Sequence, residues 1–131
     1  MQALITLGGT AFFLYSAVHL FIVVRYNGIQ VSQAGNWPAP FGITMVADLL
    51  GALMVAITAI IAFLTLLYAF KNIDQKRKAK GFYPIFLFMV FGVSGSFLAG
   101  DVFNLYVWYE VMLVASFVLI SLGSSQAQLE G

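Results

Sequence analysis

The chain has 131 residues, 62% of them hydrophobic and only 8% charged, with a mean hydropathy of +0.97. A water-soluble domain carries roughly 25% charged residues, so this composition excludes a fully water-facing surface and specifies an integral membrane protein. Six basic and five acidic residues leave a net charge of +1, which excludes the clustered positive face that nucleic acid requires.

There is no cysteine and a single histidine. A disulfide framework, thiolate chemistry and a Cys- or His-based metal site are therefore not expected, and no cofactor is implied. Each bilayer crossing takes about 20 apolar residues, so the length allows four or at most five. The expected fold is all-α, one membrane region over 1–131 with about four transmembrane helices, multi-pass in the cell membrane.

The first predicted helix covers about residues 3–24. It has no basic segment ahead of its apolar run and reads as a spanning helix, not a signal peptide. His19 and Arg25, in its outer part, are expected to snorkel. Residues 30–42 hold Gly35, Pro38, Pro40 and Gly42, a spacing that predicts neither helix nor regular strand. The second helix is predicted over 43–70 with Asp48 as its one carboxylate. So long an apolar run exceeds the bilayer core and must tilt or project. Asp48 either meets the positive end of the helix dipole or faces a buried polar network.

Residues 71–80 hold five of the six basic residues: Lys71, Lys76, Arg77, Lys78 and Lys80. The positive-inside rule makes this loop cytoplasmic; binding of anionic lipid is a second reading. A third helix follows over 82–99, with Pro84 in its first turn, where a missing N–H costs little. Gly92, Ser96 and Gly100 form a small-residue stripe suited to helix packing, and Ser94 and Ser96 read as packing serines. The fourth helix covers 102–122. Asp101 is its expected N-cap, with Asn104 at the reciprocal capping-box position, and an ion-entry role is the alternative for Asp101. Trp37 and Trp108 are plausible interface anchors, and residues 123–131 form a tail with no evident packing partner. Four crossings place both ends in the cytoplasm.

Glu110 is the leading candidate for chemistry. It lies about 12 Å along the fourth helix, near the middle of the hydrocarbon layer, where a carboxylate costs roughly 2.5–3.5 kcal/mol on insertion scales. A chain that retains such a group usually turns it to a protein interior or a water-filled cavity. There desolvation opposes the charged form and a nearby cation supports it, and the balance suits a proton relay. Asp101 lies nine residues earlier, on the opposite face of the helix, so the two form no carboxylate dyad. Asp48, Asp101 and Asn104 are secondary polar candidates.

The runs GNWPAPFGITMVADLLGALM (35–54) and FLAGDVFNLYVWYEVMLVASFVLISLG (97–123) resemble the D subunit of Mrp-type multisubunit Na⁺/H⁺ antiporters. That family is related to the antiporter-like subunits of respiratory complex I and of membrane-bound hydrogenases. The resemblance implies a transporter subunit, not an enzyme, larger than this chain, with inverted repeats and buried ionisable residues along the membrane midplane. In the family, the Glu of GDxFNLxVxxEVMLxAS pairs with a Lys on a later, broken helix and takes part in proton translocation. Glu110 occupies that position, within a match that includes Gly100, Asp101, Phe103, Asn104, Met112 and Ser116.

The implied partners are other subunits of the complex and the lipid bilayer, and the implied cargo is protons and monovalent cations. The family's first helix is expected to be missing before Met1, and the Lys-bearing helices after the Glu helix. The chain is therefore expected to be a partial subunit that does not transport alone. Two other readings stand beside this one. The first is a non-transporting scaffold or assembly subunit. The second is a small multidrug-type transporter, whose essential Glu would lie in the first of four helices instead of the last.

Overall fold

The computed structural model describes residues 1–38 and 40–122; the tail expected over 123–131 lies outside them. Helix α1 runs Gln2–Asn27 and stops at Gly28, whose φ of 81° favours glycine while its N–H bonds back to the Val24 carbonyl. Strand β1 (Gln30–Gln33) and strand β2 (Thr44–Ala47) pair antiparallel, Gln30 opposite Ala47 and Gln33 opposite Thr44. Helix α2 spans Leu49–Asn72, the short helix α3 Gln75–Ala79, α4 Phe82–Phe97 and α5 Val102–Ser121. Helices α1, α2 and α5 are long and apolar enough to cross a membrane, and α4 is a shorter apolar helix. The chain is a multi-pass membrane protein.

Two predicted boundaries are corrected. The second long helix begins at Leu49, not near residue 43, and residues 30–33, expected to be irregular, form a strand. Both corrections have one cause. Thr44–Ala47 is apolar enough to extend a helix, but its backbone is hydrogen-bonded on both edges. β1 lies along one edge. On the other, Val46 N–H donates to Leu98 O at 2.8 Å and Gly100 N–H to Thr44 O at 2.9 Å, with Met45 bridged to Ala99. Pairing with residues more than fifty positions away overrides the local helical preference. The proline- and glycine-rich turn lies between the strands and does not prevent their pairing.

Within the bundle, α1 packs on α2, α2 on α4 and α4 on α5. The inward stripe of α2 is built from alanines: Ala52, Ala56, Ala59, Ala62 and Ala69 are all buried, with Val55 and Leu66 among them. Small side chains let neighbouring helices approach closely where lipid offers no hydrophobic drive for association. Around this stripe the core gathers Ala62, Leu66, Tyr83, Phe86 and Val90 toward one end, and Val24, Ala47 and Ala52 toward the other.

The expected stripe on the third long helix is also revised. A β-carbon on Gly92 would lie 2.8 Å from the Met112 backbone nitrogen, so Gly92 does admit α5. The next close approach is made by Gly95, which receives the Trp108 ring. Ser96 is only half-buried and donates its hydroxyl to Val93 O at 2.7 Å. Gly100 lies beyond the helix, which ends at Phe97, and packs instead against β2, where a β-carbon would come within 2.6 Å of Val46 Cγ2. Trp108 is likewise no interface anchor: its ring meets Phe91 edge-on at 4.8 Å, and its indole nitrogen is buried. Trp37 is exposed beside the turn that follows β1.

Candidate functional site

The polar residues of the motif from Gly100 to Glu110 divide between two places. At the strand end of the bundle, Asp101 caps α5: one carboxylate oxygen accepts from Asn104 N–H at 2.7 Å and the other from Thr44 N–H at 3.0 Å. These two backbone donors hold the Asp101 carboxyl below the usual carboxylate range, the Asn104 donor contributing most, against an opposing effect of partial desolvation. Asn104 does not complete a capping box. Its side chain is 2% exposed and turns across to β2, donating to Thr44 O at 3.0 Å and Met45 Sδ at 3.2 Å. Thr44 thus exchanges hydrogen bonds with two residues of the α5 entry. Sequence reasoning missed this junction because Thr44 sat inside a run read as helical.

Asp48 resolves simply. It is exposed and caps α2, its side chain accepting from Gly51 N–H at 2.6 Å. It belongs to no buried polar network. Among the described residues no acidic side chain is buried and no three His, Cys, Asp or Glu side chains gather as a metal site. His19 and Arg25 are exposed on α1, His19 stacked on Tyr15. Ser94 is buried but donates its hydroxyl to Val90 O within its own helix.

Glu110 stands apart from the junction. The α5 face toward α4 carries Asn104, Trp108, Met112 and Ala115. At about 100° per residue, Glu110 falls far round the helix from them. The carboxylate expected to be buried is therefore exposed in this chain, because α5 packs mainly on α4 and only Asn104 and Ala115 of the helix are buried. Tyr106, one turn earlier on the same face, brings its hydroxyl near the Glu110 carboxylate, a neighbour the i, i+4 spacing could have indicated. Beside Glu110 runs a groove of about 410 Å³ between α4 and α5, lined by Ile85, Phe88, Val111, Val114, Ala115 and Val118. Among the described residues of this apolar wall the carboxylate is the one charged group. In contact with lipid it would bear the full insertion cost, so the face calls for a protein or aqueous covering.

No family model matches the chain. A protein of Alkalihalophilus pseudofirmus, named as the D subunit of a Na(+)/H(+) antiporter, is 47% identical over 113 residues, covering 86% of this chain and 23% of the relative. The chain is homologous to one segment of the antiporter D subunit. It spans about a quarter of the length of the curated relatives it matches.

Solved structures agree with this assignment. A chain of the Mrp complex from a Dietzia species superposes with a TM-score of 0.84 at 25% identity, over 98% of this chain and 24% of that one. A chain of the membrane-bound sulfane sulfur reductase, an archaeal respiratory membrane complex, superposes with a TM-score of 0.91, also at 25% identity, over 98% of this chain and 26% of that one. The resemblance to the antiporter family therefore holds at the level of sequence and of fold, and the antiporter-like segment includes both the Asp101 junction and Glu110.

Proposed function

We propose that this chain is the part of a multisubunit monovalent cation/proton antiporter subunit that supplies one proton-carrying carboxylate, Glu110. The observation that carries the reading is a carboxylate about 12 Å along an apolar helix, on a face left exposed by the described residues. Further helices of the parent subunit would cover that face, and a cation among them would let the carboxylate exchange its proton. The chain alone then moves no ion. Its partners are the rest of the subunit and the other subunits of the complex, and the activity is transport, not enzymatic turnover.

The test is Glu110→Gln in a complete antiporter complex, assayed in everted membrane vesicles. Cation-dependent proton movement is expected to be lost while the complex assembles at wild-type level; retained antiport would overturn the role. One observation favours a second reading, a scaffold in which the carboxyl never changes charge: Tyr106, one turn away on the same face, gives Glu110 a polar neighbour. That reading requires the same variant to leave both antiport and assembly intact.

A further inference from the structure

A second groove, of about 400 Å³, opens between α1 and α4 and is lined by Gly9, Thr10, Phe13, Pro84, Phe91 and Ser94, among others. We propose that it seats one acyl chain of an anionic phospholipid whose headgroup is held by the basic segment between α2 and α4. Three observations converge on this occupant.

The first is length. From Pro84 to Ser94 is ten residues, about 15 Å of helix, which is half of a hydrocarbon core about 30 Å thick. The groove therefore occupies a single leaflet. Beyond it α1, α2 and the end of α4 share one cluster, Ala17 with Val55 and Ala59, against which Leu14, Phe97 and Leu98 pack. A transmembrane helix would need a groove running through both leaflets.

The second is polarity. The two hydroxyls in the wall are satisfied inside their own helices: Thr10 donates to the Thr6 and Leu7 carbonyls, and Ser94 to Val90 O. Nothing in the wall asks for a polar ligand.

The third is charge. Pro84, at one end of the groove, lies beside Gly81, where a β-carbon would meet its ring at 3.8 Å. Gly81 directly follows the cluster of Lys76, Arg77, Lys78 and Lys80. Lys78 donates to Phe70 O at 3.2 Å, at the end of α2. Lys76 and Lys80 are exposed and Arg77 is half-buried, which leaves their charge open to a phosphate. The positive-inside rule puts this end at the cytoplasmic leaflet, where anionic lipid is concentrated.

The test reconstitutes the chain in phosphatidylcholine vesicles containing a trace of phosphatidylglycerol spin-labelled on an acyl chain. The motionally restricted fraction is compared with that of phosphatidylcholine carrying the same label. Phosphatidylglycerol is expected to be favoured roughly fivefold or more, the factor that one surface cation contributes at about 1 kcal/mol. Replacing Lys76, Arg77 and Lys80 together by Gln is expected to bring that preference close to one.

Gly9→Leu fills the groove and is expected to lower the restricted fraction for both lipids. Gly8→Leu, whose β-carbon also meets open space but which lies outside the groove wall, is expected to leave it unchanged. Circular dichroism checks helix content, and the loop variant stands as a test even if Gly9→Leu does not fold. Equal retention of the two lipids by the wild type, or equal effects of the two glycine variants, overturns the proposal. So does loss of the restricted lipid when the complete subunit is used, which would mean that a helix of the parent protein takes the groove.

Discussion

Asp101 and Glu110 are nine residues apart and meet entirely different surroundings. Asp101 accepts two backbone N–H groups that would otherwise be orphans at the start of α5 and the edge of β2. Because those donors favour the charged form, its carboxyl titrates lower in the folded chain than in the unfolded one. Its contribution to stability is therefore present above the unfolded value, about 3.9, and is lost as pH falls through the lower folded value. Thermal unfolding in detergent micelles, followed by circular dichroism from about pH 6 to about pH 3, is expected to show the wild type losing stability in the acid part of this range. Asp101→Asn is expected to be less stable near neutral pH and to show a shallower acid slope. Identical slopes for the two proteins would mean that the carboxylate is not held as described. Asp101 as a cap was legible from its place before an apolar run. The second use of its carboxylate was not, since it depends on a strand 57 residues away.

At the scale of elements, the apolar runs announced the three long helices and the shorter apolar α4, because hydropathy over about twenty residues is a strong local signal. What the runs could not show is where an apolar stretch stops being helical. Thr44–Ala47 looks like the first turn of a helix until Gln30–Gln33 and residues 98–100 pair with it, and neither partner carries an alternating pattern that would announce a strand.

Packing was legible in type and less so in register. A small-residue stripe on the third long helix was expected, yet the contact with α5 runs through Gly92 and Gly95, and the stripe that organises the bundle is the alanine row of α2. Gly92→Leu tests that register. Its side chain would be forced against the Met112 backbone, and overpacking of this kind typically costs about 1–3 kcal/mol. Unfolding in mixed detergent micelles is expected to shift to lower denaturant by an amount in that range, whereas Gly8→Leu, facing open space on α1, leaves the midpoint in place. A Gly92→Leu protein as stable as the wild type would show that α4 and α5 do not meet along this line.

At the scale of the whole molecule, one side of α5 is left exposed among the described residues. Phe103, Tyr106, Val114, Phe117 and Ile120 are exposed along it, with Glu110 in their midst. Apolar side chains alone could face lipid at no cost; a carboxylate near midplane could not. In the larger subunits to which this chain is homologous, the rest of the polypeptide is available to cover that side. The absence of cysteine from this chain makes this directly measurable in it with single introduced thiols, and in a complete subunit once any other cysteines are replaced. A spin label at Phe117→Cys in the isolated chain is expected to report the high oxygen accessibility of a lipid-facing site. In a complete subunit carrying the matching substitution, accessibility is expected to fall several-fold, toward that of a label at the buried position Ala59→Cys. A label at Phe12→Cys, exposed on α1, supplies the comparison for the opposite end of the helix row. If the Phe117 position remained as accessible in the complete subunit as in the isolated chain, the α5 face would be a lipid surface. Glu110 would then have no covering on which a proton path could be built.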